Sequence, residues 1–279
     1  MDTRDLATVT DRIYVAPATS RRRRFILDSK YISLLTVLVI FALWTIATQL
    51  RVFDPLFVPG PLAVWDRVVE VLRDGYRFTP ISVHIWASVQ RMGLGWGLAV
   101  ATAVPLGLLM GTNRIVEAIC DPIIEFIRPL PPLAYYMLLI LWFGIGDESK
   151  VALLYLAALP YVLINTRSGV KGVKIVHRQM AEAMGANRWQ MFAYVIFPST
   201  LPMIFAGMRL ALGNTFGTLV AAEIVAASSG IGWLILDASR YLQTATMFMG
   251  ILIIGLLAVS ADFVLRRLEM WAVPWRGRD

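Results

Sequence analysis

Cysteine and histidine are almost missing from this chain of 279 residues, which has one of the first and two of the second. Cys120 alone closes no internal disulfide and has no His or Cys near it at metal-ligand spacing, so it reads as a core filler. His84 and His177 fall in different loops, and no paired carboxylates or His and Cys groups converge on one face, which leaves a membrane-embedded enzyme without a reactive centre. No Gly-rich phosphate loop followed by Lys-Ser or Lys-Thr occurs, so this chain lacks the usual cradle for ATP. The Gly93-x-Gly95-x-Gly97 run lies in an apolar segment with no strand before it, which favours close helix packing over dinucleotide binding. No internal repeat stands out. Charge is scarce as well: 16% of residues are charged, against about 25% in a soluble domain.

What fills the chain instead is apolar sequence, 58% of residues with a mean hydropathy of +0.66. The apolar blocks are long enough to cross a hydrocarbon core of about 30 Å, which takes roughly 20 helical residues. Six spans are predicted, at Ile32–Leu50, Trp86–Met110, Ala118–Phe143, Val151–Asn165, Leu201–Ala227 and Thr246–Leu265, giving an all-α membrane protein with a transmembrane domain over 31–268. With the N-terminus inside, 17 Lys and Arg residues fall on the inner side and six on the outer, so both termini and the segment 167–198 are expected in the cytoplasm. The membrane rule accounts for the net charge of +7, and no nucleic-acid partner is needed to explain it.

Residues 1–30 read as a basic cytoplasmic tail rather than a cleaved signal, because the first apolar block comes too late and runs too long. Residues 269–279 read as a second cytoplasmic tail. Between the first two spans, Val64, Val68, Val71 and Leu72 recur at helical spacing, predicting a short amphipathic helix at the outer interface, either a lid on the bundle or a substrate contact.

Polar groups within spans are candidates for function, since a charge at the bilayer centre costs roughly 2.5–3.5 kcal/mol. Glu223, among small residues, either lines a translocation path or is a buried partner of Arg209 or of a helix end. Asn214, Thr215 and Thr218 share its helix, as path groups or core hydrogen-bonders. Pro129, Pro131 and Pro132 break the third span after Glu125, and irregular backbone at that depth needs protein or a water-filled cavity beside it, so the break is either a gate or an architectural kink.

The segment RSGVKGVKIVHRQMAEAMGANRWQMFAYVIFP, residues 167–198, is a basic amphipathic island between two apolar stretches. Its Gly185, nine residues, then Val195-Ile196-Phe197-Pro198 resembles the cytoplasmic signature loop of binding-protein-dependent ABC importer permeases. That pattern begins Glu-Ala-Ala; here Gln179, Met180 and Ala181 occupy those places. The segments 121–157, 218–227 and 273–277 are similar to the taurine permeases of the taurine, alkanesulfonate and nitrate importer group. The resemblance implies a coupling helix around 179–190, between helices four and five, with Gln179, Ala181, Gly185, Ala186, Arg188 and Pro198 meeting an ATPase. It implies a homodimer, two cytoplasmic ABC ATPase subunits that carry the ATP and Mg, a periplasmic substrate-binding protein, and a bacterial inner membrane. This chain would itself bind no cofactor. The expected activity is alternating access for taurine, with alkanesulfonates or nitrate as alternatives in the same family and an ion-gradient transporter using Glu223 as the reading from another class.

Overall fold

Lipid offers no partner to a backbone N–H or C=O, so long apolar stretches form helices, whose hydrogen bonds are internal. The computed structural model describes residues 29–275, and the expectations for the tail at 1–28 and for 276–279 lie outside the described residues. The first helix, α1 (Ser29–Gln49), falls almost wholly in a unit of its own, which gives way to a second compact unit between Ala47 and Thr48. Along α1, Tyr31, Leu34, Leu38 and Phe41 are all exposed. Thr36 and Thr45 fold their hydroxyls back onto the carbonyls of Ile32 and Phe41 at 2.9 and 2.8 Å, which hides both polar groups inside the helix's own ladder.

The second unit is built on three helices, α3 (Ile81–Thr112), α6 (Asp147–Lys171) and α9 (Phe197–Ala226). α3 buries a column of small residues four apart, Gly95, Ala99, Ala103 and Gly107, and this lets α6 approach closely. Gly95 sits on Leu154 and Gly107 on Thr166, so the two helices run parallel. Gly93 and Gly97, the flanking members of the triplet, meet nothing, so only its central glycine makes a close contact. α9 runs the other way: Gly169 meets Met203, Asn165 meets Gly207, and Asn214 donates to the carbonyl of Ala157 at 3.0 Å.

Parallel α3 and α6 require the chain between them to cross the bundle once. Two short helices do so, α4 (Arg114–Ile127) and α5 (Pro132–Phe143), set at 101° to each other. The third expected span is thus broken, and the break lies at 128–131. Among the described residues four helical stretches are long and apolar enough to cross a membrane, Ile81–Thr112, Asp147–Lys171, Arg188–Ala226 and Thr244–Ala272 (α11), and the bent pair makes up to five. The fourth span, expected at Val151–Asn165, is the longer α6, which takes in Pro160 without stopping. His84 lies in the first turn of α3, not in a loop.

The amphipathic helix expected between the first two spans is α2 (Pro61–Asp74). It buries Val64 and Val71, and its Arg67 donates to the Thr246 hydroxyl at the start of α11. A last short helix, α10 (Ile231–Arg240), lies between α9 and α11. The bundle therefore has two ends. The far end gathers α2, α10, the ends of α5 and α9 and the starts of α3, α6 and α11, and the island end gathers the ends of α3, α6 and α11, the starts of α4 and α9 and residues 172–196.

Candidate functional site

The island is not one helix. α7 (Ile175–Ala183) stops at Gly185, whose φ of +80° is costly for any residue with a Cβ. The N–H of Ala186 bonds the carbonyl of Ala181 at 3.0 Å and that of Gly185 bonds Glu182 at 2.9 Å, the paired bonds of a Schellman stop. A Cβ at Gly185 would touch nothing, so the glycine is there for its backbone angle and not for close packing. The chain then restarts on a capping box, Asn187 receiving the Gln190 N–H at 2.8 Å while Gln190 accepts the Asn187 N–H at 2.9 Å. α8 (Arg188–Gln190) leads into a π-helical stretch, Met191–Ile196, where the Phe197 N–H reaches back to Phe192. Pro198 brings no N–H to the ladder, and the widened turn just before it is the local answer to that missing donor.

One face of α7 is anchored. Ala181 is buried, and Arg178 donates to the Val170 carbonyl at 2.7 Å. The opposite surface carries Val176, Met180, Met184 and Trp189, all exposed, with Gln179, Gly185 and Arg188 exposed beside them and Ala186 and Pro198 half-buried. Just above, Arg167 and Lys171 pair with Glu117 and Asp121, tying the start of α4 to the end of α6.

At mid-depth the break between α4 and α5 faces α6 and α9. One cavity of about 200 Å³ is lined by Pro129, Pro131, Pro132, Ala157, Pro160 and Asn214. Another of about 300 Å³ shares Pro131, Pro132 and Asn214 and adds Gly213, Gly217 and Thr218. Three prolines without N–H groups leave fewer donors to satisfy, which makes irregular backbone tolerable at this depth. The structure thus brings five of the seven path candidates together. The other two lie elsewhere: Thr215 is fully buried with its hydroxyl on the Ala211 carbonyl at 2.7 Å, and Glu223 sits at the far end.

Glu223 is 1% exposed and saturated. It receives Arg91 Nη1 at 2.9 Å, the Ser88 hydroxyl at 2.8 Å and the backbone N–H of Gly232 at 2.8 Å. The last places the carboxylate at the start of α10, where the helix dipole favours a negative charge. Its partner is Arg91 and not Arg209, which pairs with Asp262 on α11 at 2.9 Å. Arg91 also donates through Nε to Asp147 at 2.8 Å and through Nη1 to the Ser229 carbonyl at 2.7 Å, so one guanidinium joins α3, α6 and the α9–α10 turn. The other end of α10 is held by Asp237, which takes the Tyr76 hydroxyl at 2.8 Å and Arg77 at 2.9 Å. Burial, then the adjacent Asp237, pushes Tyr76 up to about 12, so it stays a donor.

Arg91, Asp147, Asp237 and Asp262 were not among the candidates. Arg91, Arg209 and Asp262 each carried a signal, a charge inside an apolar span that needs a partner at its own depth. Among the described residues no three His, Cys, Asp or Glu side chains are placed to hold a metal.

Residues 103–272 match the family of binding-protein-dependent transport system inner membrane components. The chain is 38% identical to the taurine transport system permease protein TauC of Escherichia coli, over 88% of this chain and 90% of that one. It is 34% identical to the putative aliphatic sulfonates transport permease protein SsuC of Bacillus subtilis over 88% and 87%, and 28% identical to the nitrate import permease protein NrtB of Synechococcus elongatus over 94% and 95%.

Proposed function

The chain belongs to the binding-protein-dependent inner-membrane permeases, in the group that holds taurine, aliphatic-sulfonate and nitrate importers, and from that membership we propose that it is the membrane subunit of an ABC importer for taurine. The observation that supports this reading is the loop from Gln179 to Pro198, where a glycine-stopped helix and the turn after it leave Met180, Met184 and Trp189 exposed, an apolar surface suited to an ATPase subunit. Gln179, Ala181, Gly185, Ala186, Arg188 and Pro198 form or support that contact. Two such permease chains, two ATPases bearing ATP and Mg, and a binding protein at the far end complete the importer, in a bacterial inner membrane with both termini cytoplasmic. α1 is the sixth span, its exposed apolar side chains facing lipid or the partner copy.

Transport then proceeds by alternating access. Closure of the ATPase pair moves α7 and α8, and the motion reaches α6 and α9 through the residues at which the island joins them. Solute passes at mid-depth between the proline break and α9, meeting Asn214 and Thr218 with Pro129, Pro131 and Pro132 behind them. Glu223 and Thr215 hold the framework. An ion-gradient mechanism on Glu223 is disfavoured because both its oxygens are already occupied, as is use of Glu223 by the taurine amine.

Deleting the gene should abolish growth on taurine as sole sulfur source. A deletion strain that keeps taurine uptake and loses alkanesulfonate or nitrate uptake would hold the family and change the substrate.

A further inference from the structure

Where the far end meets water, a cavity of about 530 Å³ opens between the start of α6 and the α9–α10 turn, and Arg91, Asp147, Lys150, Ser228 and Ser229 line it. Its polar groups differ in how far they are already satisfied. Arg91 has four of its five N–H groups engaged, with Asp147, Glu223 and Ser229. Lys150 is 2% exposed, and two of its three N–H groups go to the carbonyls of Ile145 and Gly146 at 2.8 and 2.9 Å. Its approach to Asp147 is 3.8 Å, too long for a hydrogen bond, so one ammonium proton is left over. Asp147 is 61% exposed, and only its Oδ1 is taken, by Arg91. Ser228 has no partner among the described residues, and the Ser229 Oγ accepts from Arg91 while its own proton stays free.

The residual capacity is therefore one carboxylate oxygen as acceptor and four donors, on Arg91 Nη2, Lys150, Ser228 and Ser229. The formal charges of Arg91, Lys150, Asp147 and Glu223 cancel, and Glu148, whose carboxylate lies against Gly146 in the lining, adds a negative charge, so the site has no net positive charge with which to hold a simple monoanion. A zwitterion adds no net charge and offers both halves of the match.

We infer that this cavity is a receiving site for a short amino-sulfonate, with the amine on Asp147 Oδ2 and the sulfonate on Lys150, Ser228 and Ser229. The inference rests on the importer reading and deepens it, since the permease itself would prefer taurine over an alkanesulfonate or nitrate. Charge balance supplies the preference: ethanesulfonate leaves Asp147 without a cation to receive, and ethylamine leaves the donors without an anion.

The test uses the purified permease–ATPase complex with Cys120→Ser and Ala227→Cys, the new thiol sitting in the cavity lining beside the proposed ligand groups. Saturating taurine should slow maleimide labelling about fivefold by occupancy, while ethanesulfonate and ethylamine should leave the rate unchanged. Asp147→Asn should remove the protection and Ser228→Ala should weaken it, and a thiol placed at Met184 should show none. Equal protection by ethanesulfonate, protection that survives Asp147→Asn, or no protection at all would overturn the site. Uptake by the intact importer is measured alongside: taurine uptake without protection removes the site and keeps the importer reading, whereas an importer that carries no taurine removes both.

Discussion

At the far end of the bundle Arg91, Glu223 and Asp237 are buried and paired, while at the island end large apolar side chains stand in the open. Arg91, Glu223, Asp147 and Ser229 lock α3, α6, α9 and α10 together, and Tyr76, Arg77 and Asp237 clamp α10 a second time. The island shows Val176, Met180, Met184, Trp189 and Tyr194, with the Gly185 stop between its two helices. A protein that only had to fold would bury the second set. Contiguous exposed apolar groups outside a lipid-facing surface mark a partner, and buried ion pairs mark a fixed geometry. One end is tied together by its own side chains, and the other leaves apolar side chains uncovered.

The comparison breaks most severely at Arg91. Arg91→Met leaves Glu223 buried without its cation, which should cost about 3–5 kcal/mol. Thermal unfolding of the detergent-purified chain measures this, and Arg91→Met with Glu223→Gln should recover part of the loss, because the two residues are coupled. Full additivity of the two single variants would mean that they do not act as a pair.

Gly185 sharpens the other side. Its φ predicts that Gly185→Ala costs about 1–2 kcal/mol at the stop, weakening copurification with the ATPase while leaving the unfolding temperature of the membrane helices in place. Gly185→Asn should be the milder change, since Asn tolerates the left-handed region although it is larger. If Asn is worse than Ala, the glycine serves packing after all.

How much of this is legible in the chain itself depends on the range of the interaction. The helices follow from hydropathy, and the stop at Gly185 follows from local chemistry. The proline cluster marked the break within a few residues. What the sequence hid was pairing across helices. Glu223 lies four residues before the end of its expected span and Arg91 five after the start of its own, so both sit near the far end, whereas Arg209 lies deeper. Matching by depth, with α3 and α9 antiparallel, would have paired Glu223 with Arg91. Asp147 could not be found this way, because it stands outside the expected fourth span.

A smaller effect is expected in the cavity at the proline break. Asn214→Leu removes one hydrogen bond to Ala157, worth about 1 kcal/mol, and should reduce taurine uptake more than it reduces assembly, scored by transport rate per assembled complex. The least is expected from Tyr76→Phe, which leaves Asp237 with Arg77 and should lower far-end stability by about 1 kcal/mol without touching ATPase binding. Hydrogen exchange on α10 reads it. For sidedness, Glu148 is the better thiol position, since the neighbouring Ser149 is fully buried. Glu148→Cys should react with an impermeant reagent from outside and Lys174→Cys only from within.

The central claim is that the island end receives the energy of transport from a separate ATPase. In proteoliposomes carrying the chain with its ATPase and binding protein, taurine should accumulate only when ATP is supplied on the island side. Met184→Asp with Trp189→Asp should abolish that uptake while the helices still insert and unfold at the same temperature. Uptake that proceeds without ATP on a proton or sodium gradient, or that survives the double substitution unchanged, would contradict the account.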